Sequence, residues 1–424
     1  MQSAAEGEPQ PLRVAVVVLG DLGRSPRMQY HALALAERGA EVDLVGLAGA
    51  PPIDEVSRHP RIRCHRLTDP TPPAAVASAA RWRLLAAGGR RSLRQAFVLW
   101  NLLARGLLPF DVLLVQTPPA LPTLPIAWLA ARRRAARLIF DWHNFAGDML
   151  ALKLGRAHWA VALTNRIERL FAVTATAHLC VSRAMATTLE QRAGIAATVL
   201  HDRPGPEFQP LDPQARQTTL RRLLTLSPDS PIAPVVVSST SWSVDEDFDV
   251  LLDAASHLER EVEQSQPGTV LRIVITGNGP LRASFERRLA TLGLRRVDIR
   301  TMWLSWDEYR RLLAAADVGL CLHRSASGVD LPMKLQDMFG AGLPVCVLNY
   351  GPCLAEVVED GENGWLFCQA TDLARLLARL SLRPEEVQRA REAVGTRRGE
   401  GWIESWNRTV APVVMASPRG GGRA

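Results

Sequence analysis

Short apolar runs alternate with helix-like segments along this chain, in two successive series. The first series begins with RVAVVVLG at residues 13–20 and EVDLVGL at 41–47. Runs this short and this continuously apolar are typical of parallel strands buried on both faces. Strands that alternate with helices predict a doubly wound α/β sheet, so we predict two Rossmann-like domains. The other candidate strands are 61–67, 111–117, 137–143 and 178–182 in the first series, and 234–242, 271–280, 297–303, 317–323 and 344–350 in the second.

A segment rich in Pro, Asp, Ser and Gln separates the two series. We therefore predict a first domain at 12–202, a linker at 203–233 and a second domain at 234–398, followed by a C-terminal helix at 399–415 and a disordered tail at 416–424. The chain contains no run of about eighteen apolar residues, and its polar, acidic start does not resemble a signal peptide, so we expect no transmembrane helix.

The formal net charge of +7 favours an anionic partner: nucleic acid, a phosphorylated small molecule or a negative membrane surface. The Arg residues are scattered among helices without interleaved aromatic residues, which does not favour nucleic acid. The six Cys residues show no CxxC pair and no zinc-ligand spacing, which predicts reduced thiols in a cytosolic compartment.

The stretch 325–344, SASGVDLPMKLQDMFGAGLP, combines a small-residue loop with a helix start. Pro332 fits a first helical turn, where its missing N–H costs nothing. Backbone N–H groups at a helix start suit a phosphate, and Lys334 adds a positive charge. Asp337 lies at i+3 from Lys334, where its carboxylate is placed to accept hydrogen bonds from ribose hydroxyls. These groups predict a nucleoside diphosphate site.

A capped helix with a Lys334–Asp337 salt bridge explains the same spacing without a ligand. The chain holds fifty Lys and Arg residues, of which only Lys153 and Lys334 are Lys. A Lys kept in this loop favours a site that needs a compact ammonium group rather than a planar guanidinium.

The loop after the first predicted strand is the second candidate site, and it contains Gly20, Asp21, Gly23, Arg24, Ser25 and Arg27. The loop is not the GxGxxG dinucleotide fingerprint. In doubly wound sheets, ligands bind at the carboxyl ends of strands, and two Arg side chains near a helix start suit a phosphate. The alternative is a capped helix with solvated Arg side chains.

Polar side chains also end the apolar run RLIFDWH, which places Asp141 and His143 on one face of a strand. A carboxylate beside an imidazole is a common general-base arrangement because it orients the ring and raises its basicity. The alternative is a polar pair that satisfies loop backbone.

Two segments are unusually apolar for helices of a soluble domain: FVLWNLLARGLLPF at 97–110 and LPTLPIAWLAA at 121–131. Arg132, Arg133 and Arg134 follow the second segment directly. An apolar face beside an Arg cluster suits an interfacial membrane contact, whereas the alternative is two core helices with a solvated basic end.

Two nucleotide-fold domains with loop ligands facing across a cleft suggest an enzyme that uses a nucleotide-activated donor. Five segments then resemble the chitobiosyldiphosphodolichol β-mannosyltransferase family, and the resemblance covers about residues 12–415. The segments are VVVLGDLGRSPRMQYHALALAERG, IFDWHNF, SSTSWSVDEDF, ITGNGPL and ASGVDLPMKLQDMFGAGLPVCVLN. The resemblance implies the glycosyltransferase B fold and inverting transfer of mannose from GDP-mannose to GlcNAc2-diphosphodolichol, at the cytosolic side of the endoplasmic reticulum membrane.

The resemblance also implies roles for individual residues. Lys334 would neutralise the donor diphosphate and Asp337 would bind the ribose, while the loop Gly20–Arg27 would meet the diphosphate or the acceptor. An inverting transfer needs one general base, which would be Asp141 or His143. No DxD-type metal motif stands out, so dependence on a divalent metal is left open. The other residues of the donor pocket would be Ser239, Thr240, Ser241, Gly277 and Gly279.

Members of that family typically begin with a membrane-spanning anchor, and this chain shows none. Either membrane contact relies on the apolar segments after Phe97, or an anchor is missing from the start. The expected partners are GDP-mannose, lipid-linked chitobiose, a membrane surface and other glycosyltransferases of the pathway, but no nucleic acid. Two alternatives remain: a related transferase with another sugar nucleotide or polyprenyl acceptor, and a non-catalytic sugar-nucleotide-binding partner of a glycosylation complex.

Overall fold

A computed structural model describes residues 10–68, 81–229, 231–262, 271–397 and 399–416. The chain forms two compact units. The first contains the chain up to His201 together with the segment from Ile403, and the second runs from Asp202 to Trp402. The predicted disordered tail lies outside the described residues, apart from Ala416.

Seven parallel strands form the sheet of the first unit: β1 (Arg13–Asp21), β2 (Glu41–Leu47), β3 (Ile62–Leu67), β4 (Val112–Thr117), β5 (Arg137–Trp142), β6 (Ala177–Cys180) and β7 (Thr198–Val199). Their spatial order is β3-β2-β1-β4-β5-β6-β7. The chain runs outward from β1 in one direction and from β4 in the other, so the carboxyl ends of these neighbours mark the switch point where doubly wound sheets bind ligands.

The helices of this unit are α1 (Pro26–Glu37), α2 (Asp54–Ser57), α3 (Arg81–Asn101), α4 (Thr123–Arg134), α5 (Ala146–Leu154), α6 (Trp159–Ala172) and α7 (Arg183–Ala193). A π-helical turn, Leu102–Gly106, follows α3. α1 begins at Pro26, which fixes the backbone for a first turn, and ends before Gly39, whose φ is +87°.

Six parallel strands form the sheet of the second unit: β8 (Val235–Ser239), β9 (Leu271–Thr276), β10 (Val297–Met302), β11 (Val318–Cys321), β12 (Val345–Leu348) and β13 (Gly364–Phe367). Their order is β10-β9-β8-β11-β12-β13, with the switch point between β8 and β11. The helices are α8 (Pro213–Leu223), α9 (Phe248–Val262), α10 (Arg282–Thr291), α11 (Trp306–Ala315), α12 (Lys334–Gly340), α13 (Ala370–Leu382) and α14 (Pro384–Thr396), with a 3-10 turn at Pro352–Glu356.

The predicted linker, 203–233, is part of the second unit and carries α8. Asp212 caps this helix by accepting the Ala215 amide at 2.9 Å. The Pro-rich composition favoured a linker, although an Asp at this position is typical of a helix start. Arg216 then binds Asp317 at 2.7 Å, which fixes α8 to the start of β11.

The predicted C-terminal helix is two helices, α15 (Trp402–Thr409) and α16 (Ala411–Val414). Pro412 has no N–H and is accommodated only in a first turn, so the helix restarts there. From Ile403 onward this segment belongs to the first unit. Trp406 is fully buried and donates its Nε1–H to His31 Nδ1 at 2.8 Å, and Arg137 donates to the carbonyl oxygens of Val413 and Val414.

The two apolar segments that the sequence singled out contribute to the core but also expose apolar side chains, among them Leu108 and Leu129. Leu99, Leu103 and Phe110 are buried, as is Leu124 in α4, whereas Phe97 is 68% exposed. Among the described residues, no helix is both long enough and apolar enough to span a membrane.

The burial of Trp406 gives a stability prediction. We expect Trp406→Ala to lower the free energy of unfolding of the first unit by about 3–5 kcal/mol, because it leaves a cavity and removes the donor to His31. Urea titration followed by circular dichroism measures the change. The conservative Trp406→Phe is expected to lose less, and an unchanged midpoint for Trp406→Ala would contradict the packing described.

Candidate functional sites

The carboxylate of Asp141 lies at the end of β5, fully buried, and is surrounded by cationic and N–H groups. Arg27 of α1 binds it in a bidentate manner, with Nε to Oδ2 at 2.8 Å and Nη2 to Oδ1 at 2.9 Å. His31, one turn along α1, contacts Oδ2 at 3.2 Å, and His143 contacts the same oxygen at 3.0 Å. Burial alone raises the pKa of Asp141, but Arg27 and the two histidines lower the pKa to well below its usual range.

The ionised carboxylate fixes the tautomers of both histidines. A carboxylate only accepts hydrogen bonds, so each ring nitrogen that faces it must carry a proton. His31 fits this rule because its Nδ1 accepts from Trp406 and its Nε2 faces Asp141. His143 likewise presents Nε2 to Asp141, so in the neutral ring the proton lies on Nε2 and Nδ1 is the acceptor. Its side chain is 21% exposed, whereas that of Asp141 is fully buried.

This geometry separates the two candidate bases. Asp141 is inaccessible and held as an anion, so it orients His143, and His143 is the residue of the two whose side chain is partly exposed. The sequence placed both residues on one strand face but gave no basis for choosing between them.

The prediction that Arg27 holds a phosphate is wrong. Its side chain is 1% exposed and is bound by Asp141 and by the carbonyl oxygen of Leu200, 2.7 Å from Nη1. The Arg lies on the inner face of α1, where the only way to bury its charge is to pair it.

In the rest of that loop, Gly20–Ser25, the polar side chains mainly form hydrogen bonds with nearby backbone groups. Asp21 accepts the amides of Gly23 at 3.1 Å and Ala50 at 3.2 Å, and Ser25 donates to the Asp21 carbonyl oxygen at 2.8 Å. Gly23 is packed so tightly that a Cβ would lie 2.4 Å from the Ala50 carbonyl oxygen. Of the two loop Arg residues, Arg24 is the exposed one.

In the second unit, two glycines bring the loops after β8 and β9 into contact. A Cβ on Gly277 would lie 1.8 Å from the Thr240 carbonyl oxygen, and a Cβ on Gly279 would lie 1.9 Å from that of Ser241. Gly277 also has a φ of +142°, which L side chains rarely adopt. Both glycines are therefore required for the close approach of the two loop backbones. This contact determines the conformation of the 239–241 loop.

Lys334 points at that same loop. Its Nζ donates to the carbonyl oxygen of Ser239 at 2.7 Å and forms an ion pair with Glu246, whose side chain is almost fully buried. Thr240 Oγ1 donates to the other oxygen of Glu246 and accepts the Trp242 amide at 2.8 Å. Ser241 donates to or accepts from Ser243 at 2.6 Å. The partner of Lys334 is thus Glu246 rather than Asp337.

Asp337 makes a different contact. It accepts from the hydroxyl of Tyr309 at 3.0 Å, and its burial raises its pKa to about 7. Tyr309 packs against Trp306 and Phe208 with ring centroids 5.5 and 6.2 Å away. Lys334 and Asp337 do lie on one short helix, as predicted, but they face different partners.

The amides of Leu335, Gln336 and Asp337 donate to the carbonyl oxygens of Pro332 and Met333, because the chain already turns before Lys334. These three N–H groups are therefore occupied within the helix start. The predicted amide cradle for a phosphate would have to use N–H groups that precede Leu335.

A second cation, His323, follows β11. It lies 3.4 Å from Asp245 and 3.3 Å from Asp330, which also accepts from Ser325. Burial lowers the pKa of His323, but the two carboxylates outweigh it and raise the pKa to about 9. His323 is therefore protonated at neutral pH.

Sequence reasoning missed His31, Glu246, His323 and Tyr309. His31 lies four residues after Arg27, so both side chains are on the same helix face. This spacing is visible in the sequence. Glu246 lies in the loop before α9, which begins at Phe248. Among the described residues, no group of three or more His, Cys, Asp or Glu is arranged to hold a metal ion.

Comparison with known proteins covers both units. The model of glycosyl transferases group 1 matches residues 233–382, and the model of the glycosyl transferase 4-like domain matches residues 23–204. The chain is 37% identical to the UDP-glycosyltransferase TURAN of Arabidopsis thaliana, over 85% of this chain and 87% of the relative. It is 36% identical to the chitobiosyldiphosphodolichol beta-mannosyltransferase of Mus musculus, over 95% of this chain and 89% of the relative.

Among solved structures, Anabaena HepE in complex with UDP matches with a TM-score of 0.67 at 15% identity, over 96% of this chain and 100% of that chain. At this identity the likeness concerns the fold. Together with the two family models and the two parallel sheets, it confirms the predicted glycosyltransferase B fold.

The buried ion pair predicts a large effect of removing one partner. We expect Arg27→Met to lower the free energy of unfolding by about 3–5 kcal/mol, because Asp141 is left buried without its guanidinium. Since folding lowers the pKa of Asp141, the stabilisation is complete above the pKa of the unfolded carboxyl and is lost as the pH falls through the folded value. Chemical denaturation at several pH values measures both effects.

Two controls accompany this experiment. Arg24→Met removes an exposed Arg of the same loop and is expected to change stability by less than about 0.5 kcal/mol. The double variant Arg27→Met with Asp141→Leu removes both charges and is expected to recover part of the loss. Equal free energies of unfolding for Arg24→Met and Arg27→Met would rule out the buried ion pair.

The glycine contacts predict that Gly279→Ala destabilises the second unit by about 1–3 kcal/mol, because the new methyl group would overlap the Ser241 carbonyl oxygen. Gly395→Ala is the matched control, since a Cβ there meets no atom within 4 Å. Thermal unfolding of the two variants compares them, and equal melting temperatures would show that the two loops are not in contact.

Proposed function

We propose that this chain, which belongs to the chitobiosyldiphosphodolichol beta-mannosyltransferase family, transfers mannose from GDP-mannose to GlcNAc2-diphosphodolichol. The reaction forms a β1,4 linkage with inversion at the anomeric carbon. It adds the first mannose of the lipid-linked N-glycan precursor. We place the reaction at the cytosolic face of the endoplasmic reticulum membrane, beside other glycosyltransferases of the same pathway.

The observation that carries this proposal is the orientation of His143. Its Nε2 is held by a buried, ionised carboxylate, which makes Nδ1 the acceptor of the neutral ring, and the side chain is partly exposed just after β5. Inverting transfer needs one such base beside the acceptor hydroxyl. Asp141 also stabilises the imidazolium that forms when the ring accepts a proton.

The proposed step is a single displacement. His143 Nδ1 takes the proton of the acceptor 4-hydroxyl while its oxygen forms a bond to the anomeric carbon of mannose. The bond from that carbon to the diphosphate oxygen breaks on the opposite face, and GDP leaves with the electron pair. The α-linked donor therefore gives a β-linked product, and the proton remains on His143 until solvent removes it.

We assign the donor to the second unit. Lys334 neutralises the diphosphate when the donor competes with Glu246 for the ammonium group, and Asp337 binds the ribose hydroxyls. The 239–241 loop, which Gly277 and Gly279 hold in place, lines the pocket. Positive charge that is fixed before the reaction stabilises the departing diphosphate without reorganisation.

A UDP-sugar is the second candidate donor. TURAN, at 37% identity, is named a UDP-glycosyltransferase, and the HepE structure contains UDP. The two donors differ in their nucleobase, so a panel of GDP- and UDP-sugars separates them.

Mass spectrometry of the product tests the proposal directly. Purified chain is mixed with GDP-mannose and a short-chain GlcNAc2-diphosphate lipid, and we expect an acceptor heavier by one hexose. His143→Ala should lower turnover by about 100- to 10,000-fold. A hexose transferred only from UDP-sugars would overturn the donor assignment, and unchanged turnover in His143→Ala would overturn the base.

The Lys334–Glu246 pair requires a paired variant. Lys334→Met alone leaves the Glu246 carboxylate buried and unpaired, so it is expected to lose both donor turnover and stability. Lys334→Met with Glu246→Gln removes both charges and should regain stability while turnover stays absent. Turnover that returns in the double variant would show that Lys334 has no role toward the diphosphate.

The raised pKa of Asp337 predicts pH-dependent donor binding. Below its pKa of about 7 the carboxyl is protonated and accepts ribose hydroxyls poorly, so GDP affinity should rise as the pH increases from 6 to 8. Calorimetric titration with GDP measures this. Asp337→Asn should bind more weakly with a flatter pH profile, and an identical profile in both proteins would exclude the ribose role.

A further inference from the structure

Helix α6 presents an apolar stripe to solvent. Trp159, Leu163, Leu170 and Val173 are exposed and follow one another at intervals of three, four or seven residues, so they lie along one side of the helix. Trp159 is 65% exposed and Leu170 61%. The opposite side of α6, which includes Val161, packs into the unit.

The stripe continues onto α5 and the turn between the two helices. Met149 and Leu152 of α5 are exposed, and so are Lys153 and Arg156 beside them. A Trp next to Leu, Lys and Arg is a combination suited to the boundary between headgroups and acyl chains. The aromatic ring and the aliphatic stems enter the apolar region, while the charged ends stay at the headgroups.

The two helices form one fixed element. The carboxylate of Glu168 on α6 accepts the amides of Ala146 at 2.7 Å and Gly147 at 3.2 Å, at the start of α5. Gly147 lies so close to Asn165 that a Cβ would be 1.8 Å from its Oδ1. The exposed apolar side chains therefore belong to a packed helical hairpin, residues 146–173.

The stretch of chain that ends with this hairpin is rich in basic residues. Residues 81–173 contain fourteen Arg and Lys residues but four acidic ones. Asp141 and Glu168 are buried, Asp148 pairs with Arg192 at 2.8 Å, and Asp111 accepts the Arg13 amide at 2.9 Å. The exposed cations of the hairpin, which include Arg166 and Arg169, thus meet solvent with no exposed acidic residue on the hairpin.

Helix α4 extends the same surface. Trp128 of α4 packs edge-on against Phe171 of α6, with ring centroids 5.8 Å apart. Leu129, Arg132 and Arg133 of α4 are exposed. Two neighbouring helices thus combine exposed apolar groups with exposed Arg side chains.

We propose that the hairpin 146–173 docks into the headgroup region of an anionic phospholipid bilayer. Its positive charge complements anionic lipids, and its apolar stripe supplies the burial that holds it there. α5 begins three residues after His143, at the carboxyl edge of the sheet, so docking brings this edge to the membrane. The benefit to catalysis rests on the proposed function, because a lipid-linked acceptor presents its sugar at the bilayer surface.

Flotation of the full chain with vesicles tests the docking itself, independently of any activity. We expect binding to vesicles of phosphatidylcholine with phosphatidylserine, and weaker binding to phosphatidylcholine alone or at high salt. Trp159→Ser with Leu170→Ser should weaken binding by at least about tenfold, because two apolar anchors are removed. Lys153→Gln with Arg156→Gln should weaken it by about fivefold per charge.

Leu382→Ser is the matched control: Leu382 is 64% exposed but lies on α13 of the second unit, so binding should not change. Circular dichroism verifies that each variant is folded. Wild-type chain that does not float, or a Trp159→Ser, Leu170→Ser variant that floats like wild type, would overturn the proposal. A wild-type dimer that dissociates in this variant would show that a second copy covers the stripe, and would also overturn it.

Turnover measurements separate this proposal from the proposed function. With a water-soluble chitobiose diphosphate acceptor, Trp159→Ser with Leu170→Ser should match wild type, whereas turnover of vesicle-embedded acceptor should fall. A protein with no transferase activity but with hairpin-dependent flotation would refute the function and leave the docking surface intact. Equal loss with both acceptors would mean that the substitutions act on the active site, contrary to the proposal.

Discussion

The buried carboxylate of Asp141 is the constraint on which the first unit depends. A charge inside a protein must be paired, and Arg27 supplies the pairing in a bidentate manner from the neighbouring helix. That pairing fixes the start of α1 against the end of β5. It also makes the carboxylate an obligate acceptor, which sets the tautomer of His31 and, through it, the contact with Trp406 in the returning C-terminal segment.

In the second unit, the main constraint is the close approach of the loops that follow β8 and β9. Gly277 and Gly279 let the turn after β9 touch the backbone of residues 240 and 241. Lys334 then reaches the same loop and pairs with Glu246. Its ammonium group is therefore held in place before any ligand binds. An anionic ligand must then compete with the Glu246 carboxylate for that group.

The apolar runs predicted the α/β architecture well because buried parallel strands require continuous apolar sequence. The strands Thr198–Val199 and Gly364–Phe367 were missed because they are only two and four residues long. Asp141 and His143 were found because both end a strand, but Arg27 was misassigned. An Arg in a loop and an Arg that pairs with a residue 114 positions away look alike in sequence, and only the fold distinguishes them. Lys334 was found because it stands at a helix start, whereas its partner Glu246 needed the three-dimensional structure.

The proposed chemistry requires that Asp141 holds the neutral ring of His143 with its proton on Nε2 and a lone pair on Nδ1. Nitrogen NMR of the histidine-labelled chain at neutral pH measures this tautomer directly, with His143→Gln assigning the signal. We expect a protonated Nε2 and an unprotonated Nδ1 for the neutral ring of His143, and loss of this preference in Asp141→Asn. A His143 ring protonated on Nδ1 alone, or the same tautomer with and without the carboxylate, would contradict it.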